Sequence, residues 1–345
     1  MGITRPAAGN QGGEALSTPL LSARGRRVVS VVGPGLVVLF LLGYVGATRG
    51  ESVLAATSAV PPWAIAGAIF AHLLTLTLRT EAWRIVLRGT GAGELDQRAV
   101  HAANAGAFLA GTVQGQAAMP ARIALLRRYG GWQSPGVAQI ALADAPIVLY
   151  EVCASALLAA VGSAAVGVIP IWVPWALLAG ALGALVALRL IHGRLRNNRL
   201  VAGLGVLAEP ALRSRLAVVV GAFTCMALIR TWIVLAGFGL PTDPAHVCLV
   251  LFTMGAVGLL PIGVGTGPAA TVAALGTTDL AAATAAGMVV SAATVLAVLI
   301  YAVACWSVGA RSTADAPAEV EGEAEVIAFP VASAAEPERQ LDLAA

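Results

Sequence analysis

Apolar residues come in long runs along this chain, and polar residues gather between the runs rather than on alternate positions or on one helical face. Val28 to Thr48 is the first run, long enough as a helix to cross about 30 Å of hydrocarbon. It exceeds the apolar region of an ordinary signal peptide, which favours an uncleaved anchor. Pro61 to Arg79 is the second run, with Trp63 at its interface, and it continues as a more polar helix through Glu81, Arg84 and Arg88. Ser134 to Val161, Ile169 to Leu190, Leu216 to Gly239 and Leu280 to Gly309 follow as further runs of spanning length. Trp172 and Trp175 are interfacial anchors for the fourth.

Two stretches fit neither a span nor a loop. Asn104 to Arg128 starts apolar, turns amide-bearing at Gln114-Gly115-Gln116, breaks at Pro120 and emerges as Arg122, Arg127 and Arg128. Gly255 to Gly276 is apolar on both sides of Pro261-Ile262-Gly263-Val264-Gly265-Thr266-Gly267-Pro268. Each is expected to be a hairpin of two half-helices that returns to its own side of the bilayer. The expected fold is thus an all-α polytopic membrane protein with six full spans and two interrupted hairpins.

Arginine placement supports the first hairpin, because cytoplasmic loops hold an excess of basic residues. With the N-terminus inside, Arg24, Arg26, Arg27, Arg84, Arg88, Arg98, Arg122, Arg127, Arg128, Arg194, Arg196, Arg199, Arg213, Arg215 and Arg311 all fall on the cytoplasmic side. Arg49 alone falls outside. A full span over 101–119 would move Arg122, Arg127 and Arg128 outside. For 246–276 this test leaves a hairpin and two short spans both open; arms shorter than about 20 residues favour the hairpin. Each half then reads span, span, hairpin, span, in opposite orientations. Inverted repeats with paired interrupted segments are a transporter signature.

Composition sharpens this picture. The chain of 345 residues is 58% hydrophobic and 11% charged, with mean hydropathy +0.85, whereas soluble domains are about 25% charged. Aromatics are 5%, so helices must pack through Ala, Gly, Val and Leu, and small residues let membrane helices approach closely. All 21 basic residues are arginine. Residues 311–345 hold eight acidic side chains and two arginines, leaving 19 arginines against 10 acids in 1–310. That basic excess belongs to membrane-flanking loops, which argues against nucleic acid as a partner. Residues 1–27 and 311–345 are expected to be disordered cytoplasmic tails around a transmembrane domain at 28–310. Cys153, Cys225, Cys248 and Cys305 stand singly and lack metal or redox spacing.

Candidate chemistry lies with ionisable groups inside the apolar runs, where they are costly and usually functional. Arg230 sits in the middle of the fifth span. Asp144 and Glu151 are seven residues apart in the third, hence on one helical face, with Pro146 between them. An ion pair of Arg230 with Asp144 or Glu151 is one reading; a phosphate contact by Arg230 is the other, since guanidinium is planar, always charged and able to bond bidentately. Arg79, Glu81 and Arg84 form a second cluster, read as snorkelling to the interface. Gln114, Gln116 and Thr266 are candidate donors at the two breaks, and Arg122 is expected at the cytoplasmic mouth. The glycines at 263, 265 and 267 lack the strand and lysine of a nucleotide loop. His72, His101, His192 and His246 are scattered, and Glu81 with His101 is the single acid–base candidate for an enzyme reading. No cofactor or metal is expected.

At these residues the chain resembles the lysylphosphatidylglycerol synthase transmembrane-region family, also called flippase-like proteins. Pro120-Ala-Arg122 followed by Arg127 is similar to that family's Pro-x-Arg-x-Gly-Glu-x-x-Arg motif. Leu260-Pro261 through Gly265-Thr266-Gly267 is similar to its second, Pro- and Gly-rich motif. Ala124-Leu125 stands where the first motif has Gly-Glu, and Ala269 and Ala270 lie where the second has Glu. The resemblance covers about residues 28–310 and implies the fold, with Pro120, Arg122, Arg127, Pro261, Gly265 and Gly267 as motif positions. The aminoacyl-transferase domain of some relatives is not in this sequence, so the resemblance implies a lipid-translocating module. The expected protein is a multi-pass inner-membrane protein, termini cytoplasmic, that binds or moves an anionic phospholipid or lipid-linked precursor. The alternative is a non-transporting scaffold for a lipid or cell-envelope enzyme partner.

Overall fold

The computed structural model describes residues 50–90, 95–130, 135–167, 170–195, 198–258, 266–275 and 279–314. These residues are almost wholly helical and contain no strand, and the protein is an all-α polytopic membrane protein. After a helical stretch at 50–58 come α1 (Pro62–Arg88), α2 (Gln97–Val113) and α3 (Ala118–Gly130). The chain continues through α4 (Val137–Val166), α5 (Trp172–Arg194) and α6 (Pro210–Gly237). It ends with α7 (Pro244–Gly258), α8 (Thr266–Leu275) and α9 (Leu280–Ala314). Short 3-10 turns lie at Gly115–Ala117 and Arg199–Leu207.

Five of these helices, α1, α4, α5, α6 and α9, are long and apolar enough to cross a membrane. They correspond to the second to sixth expected spans. The first, Val28 to Thr48, lies outside the described residues, as do the tail at 1–27 and the tail expected at 311–345 apart from residues 311–314, which are not disordered but continue α9. Local chemistry sets the ends. Pro62 and Pro210 open α1 and α6, where a missing N–H costs nothing. Asp96, Asp243 and Asp279 accept bonds from the first-turn backbone N–H groups of Arg98, His246 and Ala282. Broad apolar faces stay uncovered, including Trp63, Phe70, Trp172, Trp175 and Val218, as lipid contact requires. The α5 helix buries just Pro174 and Ala181 and lies at the edge.

The first interrupted stretch is a hairpin. Residues Gly106 and Leu125, Gly111 and Ala118, and Asn104 and Arg122 face each other, so α2 and α3 run antiparallel. The break falls at Gln114, which is extended (φ −147°, ψ 114°), and not at Pro120. Pro120 lies in the first turn of α3, where proline's lack of a donor is tolerated. In the second stretch α7 and α8 pack on each other, 15 and 10 residues long. Their connection at 259–265, including Pro261 and Gly265, lies outside the described residues.

Packing repeats between the halves. The pair α2·α9 is matched by α7·α4, α1·α9 by α6·α4, α1·α4 by α6·α9, and α3·α4 by α8·α9. The α1 and α6 helices pack on each other and run antiparallel: Ala64 meets Gly237, Gly67 meets Ile233, and Arg79 lies over Phe223. A two-fold axis passing between α1 and α6, across their length, would generate these pairings.

Small residues carry the closest approaches. A Cβ on Gly287 would stand 2.5 Å from the Cα and N of Pro268, backbone that cannot yield. Gly287→Val should therefore push α8 off α9, an overpacking of at least about 1–3 kcal/mol. A Cβ on Gly221 meets nothing within 4 Å, so Gly221→Val is the control. The thermal midpoint in detergent should fall for the first variant alone; equal midpoints would refute this account of the interface.

Candidate functional site

Helical spacing builds the site from three sides. On α1, His72, Thr75, Leu76 and Arg79 recur at the i, i+3, i+4, i+7 positions of one face. On α9, Ser291, Thr294, Val295 and Val298 do the same. Between these stripes, bordered by the α2–α3 hairpin, Met254 and Gly267, lies a partly open cavity of about 510 Å³. That volume falls within the range of small-ligand sites, about 300–1,000 Å³. Three arginines line it, Arg79 from α1, Arg122 from α3 and Arg230 from α6.

The arginines are held differently. Arg79 Nη2 lies 2.8 Å from Glu151 Oε1 and 3.1 Å from Oε2. Arg122 is 6% exposed; its Nε donates to Asn104 Oδ1 at 2.7 Å and its guanidinium lies 4.2 Å from the Trp83 ring. Asp144 Oδ1 stands 3.8 Å from Arg122 Nη1. Arg230 Nη1 bonds to His72 Nδ1 at 2.6 Å and to Thr294 Oγ1 at 3.2 Å. Its Nε is buried without a hydrogen-bond partner, and among the described residues no carboxylate pairs with it.

The hydroxyls cannot substitute for these donors. Thr75, Ser291 and Thr294 donate to Ala71 O, Gly287 O and Val290 O respectively. Towards the cavity they present lone pairs, so the charged N–H groups offered to an anion are those of guanidinium. With Arg79 and Arg122 each facing one carboxylate and Arg230 facing none, the described lining carries one uncompensated positive charge.

Several sequence expectations are corrected. Arg230 does not meet Asp144 or Glu151: α4 turns those carboxylates, two helical turns apart, towards Arg122 and Arg79, while Arg230 faces α1 and α9. Arg79, read as snorkelling to the interface, is instead bound to Glu151 on α4, with its side chain partly exposed. Arg122 is not at an exposed mouth, since stacking on Trp83 and the bond to Asn104 hold it inside. Gln116 and Gln114 are exposed at the hairpin tip and do not line the cavity. Arg127 and Pro120 are exposed on α3. Gly267 does line the cavity and is pressed against Ser291 and Gly287. Thr266 is the first residue of α8.

Sequence reasoning missed His72, Thr75, Ser291 and Thr294. The signal was present: a polar residue every three or four positions within an otherwise apolar helix. In the Glu81–His101 candidate each group bonds elsewhere: Glu81 pairs with Arg84 at 2.6 Å and His101 Nδ1 bonds Tyr301 Oη at 2.7 Å. Tyr301 also meets Thr80 Oγ1 at 2.9 Å, tying α1, α2 and α9 together. Comparison with known protein families, curated proteins and solved structures gives no match to this chain.

Proposed function

We propose that the protein binds the phosphate-bearing headgroup of an anionic lipid in the three-arginine cavity and passes it across the membrane. The observation that carries this reading is Arg230: a cation inside an apolar span, with no carboxylate among its described partners and an unused N–H, facing a cavity with two further guanidinium groups. A cation so placed is costly unless an anion joins it. Guanidinium fits phosphate in charge and geometry. The reading agrees with the resemblance to flippase-like proteins at residues 120–127 and 260–267. It also agrees with packing that repeats between the halves around a pair of interrupted segments. We place the protein in the cytoplasmic membrane with both termini inside, from its arginine distribution.

The test is transbilayer movement. Purified protein in vesicles should speed exchange of a headgroup-labelled phosphatidylglycerol between leaflets at least tenfold over protein-free vesicles, in proportion to protein copies. Binding without faster exchange would leave the scaffold reading, in which a cell-envelope enzyme is the partner. Neither binding nor exchange would end the lipid reading.

A further inference from the structure

The His72–Arg230 contact assigns a proton as well as a charge. Arginine is always protonated and can serve in this bond just as donor, so His72 Nδ1 must be the acceptor. The imidazole is therefore neutral, with its proton on Nε2. A second proton on His72 would abolish the acceptor and set two cations in contact at 2.6 Å.

The surroundings offer the empty site no relief. Arg230 comes from α6 and Thr294 from α9, whose hydroxyl hydrogen is used on Val290 O. Arg79 lies two turns along α1 and Arg122 across the cavity on α3. The α2, α7 and α8 helices add no titratable side chain to the lining. Glu151 and Asp144 are taken up by Arg79 and Arg122. The described groups thus sum to one positive charge with His72 neutral and two with His72 protonated.

Resting on the anion-binding reading above, we propose that His72 takes up a proton when a dianionic phosphate monoester enters the cavity, and that the two are bound together. A singly charged phosphodiester neutralises Arg230 alone and leaves His72 as it stands. A phosphate monoester brings two negative charges; one matches Arg230 and the second is matched by the new imidazolium. The anion also displaces His72 as the acceptor for Arg230, freeing Nδ1 for the proton. Atoms balance: one proton leaves water for Nδ1, the Arg230 N–H turns to a phosphate oxygen, and no covalent bond changes. The site therefore distinguishes a terminal phosphate from a diester by proton stoichiometry, and lipid phosphate movement becomes proton-coupled.

The test is calorimetric titration of the full-length protein in detergent. Short-chain phosphatidic acid and phosphatidylglycerol are each added in buffers of different ionisation enthalpy. At about pH 8 a phosphate monoester, with a second pKa near 6, is already dianionic. About one proton should be taken up per phosphatidic acid bound and none per phosphatidylglycerol. His72→Asn keeps an acceptor near the Nδ1 position but cannot hold the proton, so its count with phosphatidic acid should fall to zero. Phosphatidic acid binding to the unaltered protein without proton uptake overturns the proposal and spares the anion site. An undiminished count in His72→Asn overturns it too. If the variant does not fold, the two lipids on the unaltered protein decide alone. Binding of neither lipid overturns both readings.

Discussion

Arg230→Met is expected to leave the protein folded and remove its hold on phosphate. Arginine inside a bilayer span costs about 2.5–3.5 kcal/mol to insert, and Arg230 recovers little of this, bonding just to His72 and Thr294 with Nε unused. A neutral side chain of similar length removes that burden, while His72 and Thr294 lose a donor and no charge is left behind. The thermal midpoint should hold or rise. Binding should change the other way: losing one partner of a buried charge-assisted contact costs about 3 kcal/mol, or roughly a hundredfold in affinity. Lipid titration beside a melting curve measures both. An unfolded Arg230→Met, or one that binds phosphatidylglycerol normally, would show that this arginine is structural.

Arg122 should behave in the opposite manner. It is held by Asn104, by the Trp83 ring and by Asp144, and Asn104 is itself 1% exposed. Arg122→Ala leaves the buried Asn104 amide without its donor and the Asp144 carboxylate without its cation. By analogy with buried pairs in soluble proteins the loss is about 3–5 kcal/mol, large against the whole stability of a domain. Arg122→Lys should recover little, because one ammonium nitrogen cannot replace a planar guanidinium that lies over Trp83 while its Nε donates to Asn104. Arg122→Ala with Asp144→Asn should recover part of the loss by removing the stranded charge. Yield of monodisperse protein and hydrogen exchange over α2 and α3 measure the effect. Wild-type stability in Arg122→Ala would refute the account of the hairpin.

The two arginines show why spans were easy to read and partners were not. Run length and composition suffice for α4, α5, α6 and α9, because burial in lipid selects for them residue by residue. The hairpin at 104–128 was legible because a full span would have put three arginines on the wrong side. Its turning point was misplaced because proline breaks a helix interior but not a first turn, and sequence alone does not say which turn this is. Which carboxylate meets which arginine depends on helix rotation and on the antiparallel register of α1 with α6. Hydropathy carries no information on either. Apolar weighting also hid the His72–Thr75–Arg79 stripe, because mean hydropathy over a run does not register isolated polar residues that recur on one helical face.

The unmatched guanidinium of Arg230 has an electrical consequence. An empty site with one net charge feels the membrane voltage whenever it shifts along the field, at about 2.3 kcal/mol per 100 mV for a full crossing. A site holding a phosphodiester, or a monoester with its proton, is neutral and moves without regard to that voltage. In a carrier of this kind the potential acts on the return of the unloaded form. The resting voltage would then govern how quickly the site becomes ready again, rather than how tightly it holds its cargo.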